Sequence, residues 1–154
     1  MNRRPLAIGA LLVTLLLAGC GVRPSGVITG GPAPANTISG VRLYLISDSQ
    51  PTLVARGLKP TQRPADIIDL LAAGPTPAER DAGFTSEVPA GIAPAKVAYE
   101  GAGTSIGLSA GVDTLSVLAV NQIVCTVQAS VSAGPVTLVS GATRRGPLTC
   151  PTYP

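Results

Sequence analysis

The spacing of proline and glycine between residues 64 and 83 limits where helices can form in this chain more than any other feature. Proline is tolerated only in the first turn of a helix, so Pro64 predicts a helix start. Asp66 suits the positive end of the helix dipole, and Thr61 is placed to cap it. Gly74 permits the left-handed turn that ends a helix, and Pro75 prevents its continuation. The predicted helix carries an apolar face made of Ile67, Leu70 and Leu71.

A second, shorter helix is predicted to start at Pro77 and to end at Gly83. Thr76 and Glu79 have the spacing of a capping box, in which each side chain accepts a hydrogen bond from the other residue's backbone amide. Losing such a cap costs about 0.5–2 kcal/mol. This structural role accounts for Glu79, so it is favoured over the alternative of a catalytic acid. Arg80 and Asp81 are most simply a solvated face.

Two hairpins are predicted from alternating and turn-rich patterns. Val41–Ser47 alternates between apolar and mixed positions, and residues 48–51 have turn chemistry ahead of a short strand over 52–57. Residues 95–109 give two short strands around a Gly-Ala-Gly turn. That turn lacks the spacing of a phosphate-binding loop. The stretch 89–94 between these elements is predicted to be loop.

Residues 111–131 are apolar and ambiguous, because their β-branched content suggests strands while their length favours a buried helix. As a helix, the segment would place Leu115, Leu118 and Ala119 on one face, with Asp113 as its cap. Residues 135–141 are predicted to be the last strand. The remaining residues are predicted to form a turn-rich tail.

The first nineteen residues have the pattern of a secretory leader that ends just before Cys20. A short positive region precedes the apolar run Leu6–Leu17, which is shorter than the roughly 20 residues of a membrane span. Leu17-Ala18-Gly19-Cys20 resembles the lipobox of bacterial lipoproteins, which implies that Cys20 becomes a lipidated N-terminus carrying chains such as palmitate. The alternative is an ordinary signal peptide or an incidental cysteine. Residues 20–39, rich in Gly, Pro, Ser, Ala and Thr, are predicted to tether a domain over 40–154 to the membrane.

The composition leaves few reactive groups. The chain contains no histidine, which removes the usual general base near neutral pH and the commonest zinc ligand. There is one Phe and no Trp, so the core is expected to be aliphatic, and no basic stripe or aromatic platform points to nucleic acid. We expect no metal and no cofactor. The only carboxylates are Asp48, Asp66, Asp69, Glu79, Asp81, Glu87, Glu100 and Asp113.

Cys125 and Cys150 remain once Cys20 carries a lipid. An even pair outside the cytoplasm is expected to form a disulfide that pins the tail to the long helix. The alternatives are a buried thiol at Cys125 and a free, reactive thiol at Cys150.

The order of these elements and several motifs resemble the GerMN domain of sporulation and germination proteins, most closely the version in small actinobacterial lipoproteins. The motifs are L-x-x-G-P-T-x-x-E over Leu71 to Glu79, then Gly83, Val88-Pro89 and QIVCT at 122–126. The resemblance covers about residues 40–141. It implies an α+β domain in which two helices pack on one face of a small mixed or antiparallel sheet. It also implies a non-enzymatic module, without catalytic residues to transfer, for binding at the cell envelope.

Three functions follow from these observations. The favoured one is a membrane-anchored, extracytoplasmic lipoprotein whose domain binds or scaffolds an envelope protein or cell-wall partner. The second is a small envelope hydrolase using carboxylates, for which Asp66 and Asp69 are three residues apart on a helix. The third, a substrate-binding lipoprotein of a transporter, normally needs two domains and a longer chain.

Overall fold

The fold begins with a β-hairpin formed by strands β1 (Val41–Ser47) and β2 (Gln50–Arg56). The computed structural model describes residues 40–57 and 63–152. Asp48 and Ser49 form the turn, both with positive φ, as a two-residue hairpin requires. The predicted first strand has the bounds found, while the second begins two residues earlier than predicted because the turn is this tight.

Helices α1 (Pro64–Ala72) and α2 (Pro77–Asp81) follow, each with proline in its first turn. Gly74 and Gly83 have φ values of +76° and +88°, so each supplies the left-handed residue after its helix. Thr61, the expected cap, lies outside the described residues. The N-cap position of α1 belongs to Arg63, whose backbone N–H donates to the Asp66 carboxylate at 3.1 Å.

The second hairpin consists of strands β3 (Lys96–Glu100) and β4 (Gly103–Gly107), as the Gly-Ala-Gly sequence predicted. The preceding segment, predicted to be loop, contains a 3₁₀ turn at Ala90–Ile92. Ile92 is fully buried, so this turn serves to place an apolar side chain in the core.

The long apolar segment is a helix, α3 (Val117–Ser130), and not strands. Its cap is Ser116, whose Oγ accepts from the Ala119 N–H at 3.0 Å. The prediction of Asp113 as cap was wrong, because Asp113 lies in a separate 3₁₀ turn, Val112–Thr114. Leu115 accordingly precedes the helix and is not part of its face.

Strands β5 (Val136–Ser140) and β6 (Thr143–Leu148) complete the fold. The tail was predicted to be turns, and β6 shows that prediction to be wrong. Pro147 is tolerated because β6 is an edge strand. Gly146 has φ +153°, and a Cβ added there would lie 2.8 Å from Thr137 Cα, so the strand approaches β5 only because this residue is glycine.

Strands β3 to β6 form a mixed sheet in the order β3-β4-β5-β6, in which only β4 and β5 are parallel. The hairpin β1–β2 forms a separate two-stranded sheet. The α+β class is confirmed. Helices and strands share one aliphatic core, as the shortage of aromatic residues predicted. Its fully buried members include Leu43, Leu45, Ile68, Leu71, Ile92, Ile106, Ile123 and Leu138.

Candidate functional site

The signature run Leu71–Glu79 forms the corner between α1 and α2. Leu71 is fully buried in the core, and Gly74 turns the chain. The Thr76 hydroxyl accepts from the Glu79 N–H at 3.3 Å, and the Glu79 carboxylate accepts from the Thr76 N–H at 2.7 Å. The two residues therefore form a capping box in which both side chains are used.

Arg56, at the end of β2, clamps this corner. Its guanidinium donates to both Glu79 carboxylate oxygens, Nε at 2.9 Å and Nη2 at 2.7 Å, and Nη2 also donates to the Gly74 carbonyl at 2.8 Å. The side chains of Arg56 and Glu79 are only 11% and 13% exposed. Sequence patterns gave no sign of this pair, because its members lie 23 residues apart on different elements.

The chemistry of Glu79 follows from these contacts. The hydrogen bond from Arg56 lowers the pKa of the Glu79 carboxyl below its ordinary value of 4.5, with help from the Thr76 amide and against the opposing effect of burial. A general acid needs the opposite shift, since it must hold a proton near neutral pH. Glu79 is therefore an ionised structural group.

The long helix α3 satisfies the free edge of β1 with three polar side chains spaced four residues apart. Gln122 Nε2 donates to the Tyr44 carbonyl at 2.9 Å, and Thr126 Oγ1 accepts from the Tyr44 N–H at 2.9 Å. Ser130 Oγ accepts from the Arg42 N–H at 3.0 Å and donates to the Arg42 carbonyl at 2.7 Å. The helix thus takes the place of a neighbouring strand, and this stripe stops another chain from pairing there.

The same helix organises the loop that joins α2 to the second hairpin. Gln122 Oε1 accepts from the Glu87 N–H at 2.9 Å, and the Glu87 carboxylate accepts from the Ser116 hydroxyl that caps α3. Thr85 exchanges backbone hydrogen bonds with Ile46 at 2.8 and 2.9 Å. Gln122 and Thr126 of the QIVCT motif are both fully buried. The periodicity of apolar residues along a helix does not predict the burial of polar side chains such as these.

Cys125 and Cys150 form a disulfide with a Cα–Cα distance of 4.7 Å. The bond joins α3 to the residues after β6, as expected from the cysteine count. Gln128 adds a second contact, because its Oε1 accepts from the Cys150 N–H at 2.7 Å. Cys20 lies outside the described residues, so its predicted lipidation stays a prediction.

The two carboxylates offered for a hydrolase do not act as a pair. Asp66 bonds Arg63, whose hydrogen bond lowers the pKa of the Asp66 carboxyl. Asp69 instead accepts from the Ala95 N–H at 3.0 Å and fixes the start of β3. Among the other carboxylates, Glu100 meets Arg144 at 3.3 Å. The described residues contain no cluster of three His, Cys, Asp or Glu side chains able to hold a metal.

A cleft of about 300 Å³ opens at the β3–β4 turn. Thr104 lines this cleft and is buried, and its hydroxyl has no hydrogen-bond partner among the described residues. The cleft lining has one ionisable side chain, Glu100, and this carboxylate already meets Arg144. The lining residues are Glu100, Ala102, Gly103, Thr104, Pro135, Thr137 and Pro147.

The structure therefore defines a small α+β domain whose signature residues are engaged in internal contacts. Residues 39–142 match the Germane family, described as sporulation and spore germination. Because the match spans about two thirds of the 154 residues, the chain belongs to that family, and the GerMN-type domain predicted from its motifs is confirmed. It is not a known enzyme family. Searches of curated proteins and of solved structures found no match.

Proposed function

We propose that this protein is a lipid-anchored lipoprotein on the extracytoplasmic face of the cell membrane, and that its GerMN-type domain is a non-catalytic binding or scaffolding module. The observation that carries the proposal is the use of the signature side chains. Thr76 and Glu79 cap α2, Gln122 and Thr126 bond β1, and Cys125 is oxidised. Residues held this way stabilise the fold, so a binding partner would be recognised by other residues on the surface of the domain.

The disulfide supports an extracytoplasmic location. Such bonds form and persist in oxidising compartments and are rare in the cytosol. Cys125 is almost fully buried, and the bond ties α3 to the chain beyond β6. A domain that carries such a bond is suited to the envelope. None of the described helices is long and apolar enough to cross a bilayer.

The lipid anchor rests on the sequence Leu17-Ala18-Gly19-Cys20 after an apolar run. Two or more acyl chains hold a protein stably on a membrane, where one chain is marginal. The tether over residues 20–39 would then separate the domain, which begins with β1, from the lipid surface. An actinobacterial source is part of this proposal, by resemblance to the lipoproteins of that group.

Intact-mass analysis and membrane fractionation of the full-length protein test the anchor. We expect a mature chain that starts at Cys20, carries the added mass of acyl chains and stays with the membrane fraction. A Cys20→Ser variant should lose the acyl mass and, once its leader has been removed, leave the membrane, whereas a Ser25→Ala control should behave as wild type. Membrane retention of Cys20→Ser after processing would contradict the anchor.

Crosslinking in cells tests the binding role. We expect the intact lipidated protein to crosslink reproducibly to an envelope protein or to cell-wall material. A secreted Cys20→Ser form is the control for contacts that depend on anchoring. Hydrolysis of a cell-wall substrate by the purified protein, lost in a Glu87→Gln or Asp69→Asn variant that remains folded, would instead favour the hydrolase.

A further inference from the structure

Strand β3 is an edge of the four-stranded sheet, and its pairing shows which backbone groups face outward. In β4, Thr104 N–H donates to the Pro135 carbonyl at 2.8 Å, and just beyond the strand Leu108 N–H donates to the Val139 carbonyl at 2.8 Å. Even-numbered residues of this segment therefore bond toward β5. Because hydrogen bonds alternate along a strand, the odd-numbered residues bond toward β3. Their partners there are Lys96, Ala98 and Glu100.

Val97 and Tyr99 consequently direct their N–H and C=O groups away from β4. Within residues 40–57 and 63–152, these outward groups have no hydrogen-bond partner. The Tyr99 side chain is 63% exposed, one of three large apolar side chains left in solvent in the part of the chain that the structure describes. An open strand edge beside an exposed aromatic ring is a template for another strand.

We propose that this edge pairs with the same edge of a second copy of the chain, antiparallel and with Ala98 facing Ala98 across a twofold axis. In this register, Val97 of each copy lies opposite Tyr99 of the other, so all four outward-facing residues form hydrogen bonds across the interface. The two sheets become one continuous eight-stranded sheet. An interface of this kind is isologous, since each copy contributes the same surface.

The sequence of β3, Lys-Val-Ala-Tyr-Glu, favours a second copy over an unrelated strand because it is complementary to its own reverse. Reversal about Ala98 sets Lys96 opposite Glu100 and the β-branched Val97 opposite the aromatic Tyr99, both favourable cross-strand pairs. A shift of two residues sets Lys96 or Glu100 opposite Ala98 and loses the charge match. Glu100 and Arg144 are 56% and 58% exposed, so that carboxylate can also accept from a second cation.

Disulfide trapping tests this register, and it does so independently of the lipid anchor. The full-length chain carries Cys20→Ser, so that Cys125 and Cys150, already bonded to each other, are the only natural cysteines. Added Ala98→Cys places two thiols at a non-hydrogen-bonded pair with Cα atoms about 4.5 Å apart, within disulfide range. Lys96→Cys is the matched control on the same strand and face, since its copies would lie about 13 Å apart.

We expect oxidised Ala98→Cys to run as a covalent dimer on a non-reducing gel and Lys96→Cys to remain monomeric. If Ala98→Cys gave no covalent dimer, the proposal would be overturned. This is the result expected if a different partner covers the edge. Equal amounts of covalent dimer from both variants would also overturn it, because the disulfides would then come from random encounters between molecules and not from the proposed strand pairing.

Charge reversal provides a second measurement that needs no new cysteine. Sedimentation of the full-length Cys20→Ser protein should show a dimer whose dissociation constant rises about tenfold in Lys96→Glu, because two like-charge pairs replace two attractive ones. Combining Lys96→Glu with Glu100→Lys restores opposite charges and should return the constant to within about threefold of wild type. The pairing would be contradicted by a dimer whose dissociation constant is the same in all three proteins. It would also be contradicted if wild type and both variants were monomers.

Discussion

The guanidinium of Arg56 donates to both carboxylate oxygens of Glu79, at 2.9 and 2.7 Å, in a pair that is almost withdrawn from solvent. The same arginine donates to the Gly74 carbonyl, and the same glutamate accepts from the Thr76 N–H. One ion pair thus fastens the first hairpin to the corner between the two short helices. A carboxylate bound on both sides in this way is part of the scaffold and is not available for proton transfer.

The Glu79 carboxylate should make stability depend on pH in the acid range. Its pKa is lowered in the folded protein, so its contribution is present above the unfolded value near 4.5 and is lost as pH falls through the folded value. Melting temperatures measured from pH 7 to pH 3 should fall more steeply below about pH 5 in wild type than in Glu79→Gln. Parallel curves for the two proteins would show that Glu79 contributes no such linkage.

The polar stripe of α3 can be tested at Thr126, which is fully buried. Thr126→Val keeps the shape but leaves the Tyr44 N–H without its acceptor, a change that should cost about 1–3 kcal/mol of unfolding free energy. Hydrogen exchange at the Tyr44 amide should also become faster. Thr143→Val, on an exposed strand position, is the control and should change stability by less than about 0.5 kcal/mol. An unchanged Tyr44 amide would contradict the proposed role.

The last strand depends on Gly146. A Cβ at this position would lie 2.8 Å from Thr137 Cα and from the Val136 carbonyl oxygen, both backbone atoms that cannot move aside cheaply. Gly146→Ala should therefore destabilise the domain by about 2 kcal/mol or more in urea unfolding. Gly107→Ala is the matched control in the same sheet, because its nearest contact would be the Lys96 Cβ at an ordinary 3.5 Å. Equal losses of unfolding free energy from the two substitutions would contradict the close approach of β6 to β5 at Gly146.

Local chemistry predicted most of the fold. Both short helices were predicted from their ends, at Pro64 and Gly74 and at Pro77 and Gly83. Proline favours the first turn of a helix and glycine the left-handed residue after it, whatever surrounds them. The same restriction by proline explains why strand β6 was not predicted. Pro147 argues against a strand in general, and only the edge position, which is a property of the assembled sheet, makes it acceptable.

Long-range contacts were the part that sequence patterns could not supply. Nothing local connects Arg56 to Glu79, although the capping box already gave Glu79 a structural role. The signal for the α3 stripe was present in the spacing of Gln122, Thr126 and Ser130, which places three polar side chains on one line of a helix whose other buried residues are apolar. Asp113 was mistaken for the cap because it lies in a separate 3₁₀ turn, and the helix starts only at Val117 with Ser116 as its cap.

The scaffold role of the signature run is tested most directly by a double-mutant cycle on its ion pair. Arg56→Met keeps the aliphatic stem, and Glu79→Gln keeps an oxygen able to accept from the Thr76 N–H. Arg56→Met also loses the hydrogen bond to the Gly74 carbonyl, but it does so with or without the second change, so the cycle isolates the energy of the pair. Urea unfolding of wild type, both single variants and the double variant should give a coupling energy of about 1–3 kcal/mol. The exposed pair of Arg144 and Glu100, taken through the same Met and Gln changes, should give less than about 0.5 kcal/mol. A coupling within about 0.3 kcal/mol of zero for Arg56 and Glu79 would contradict the account.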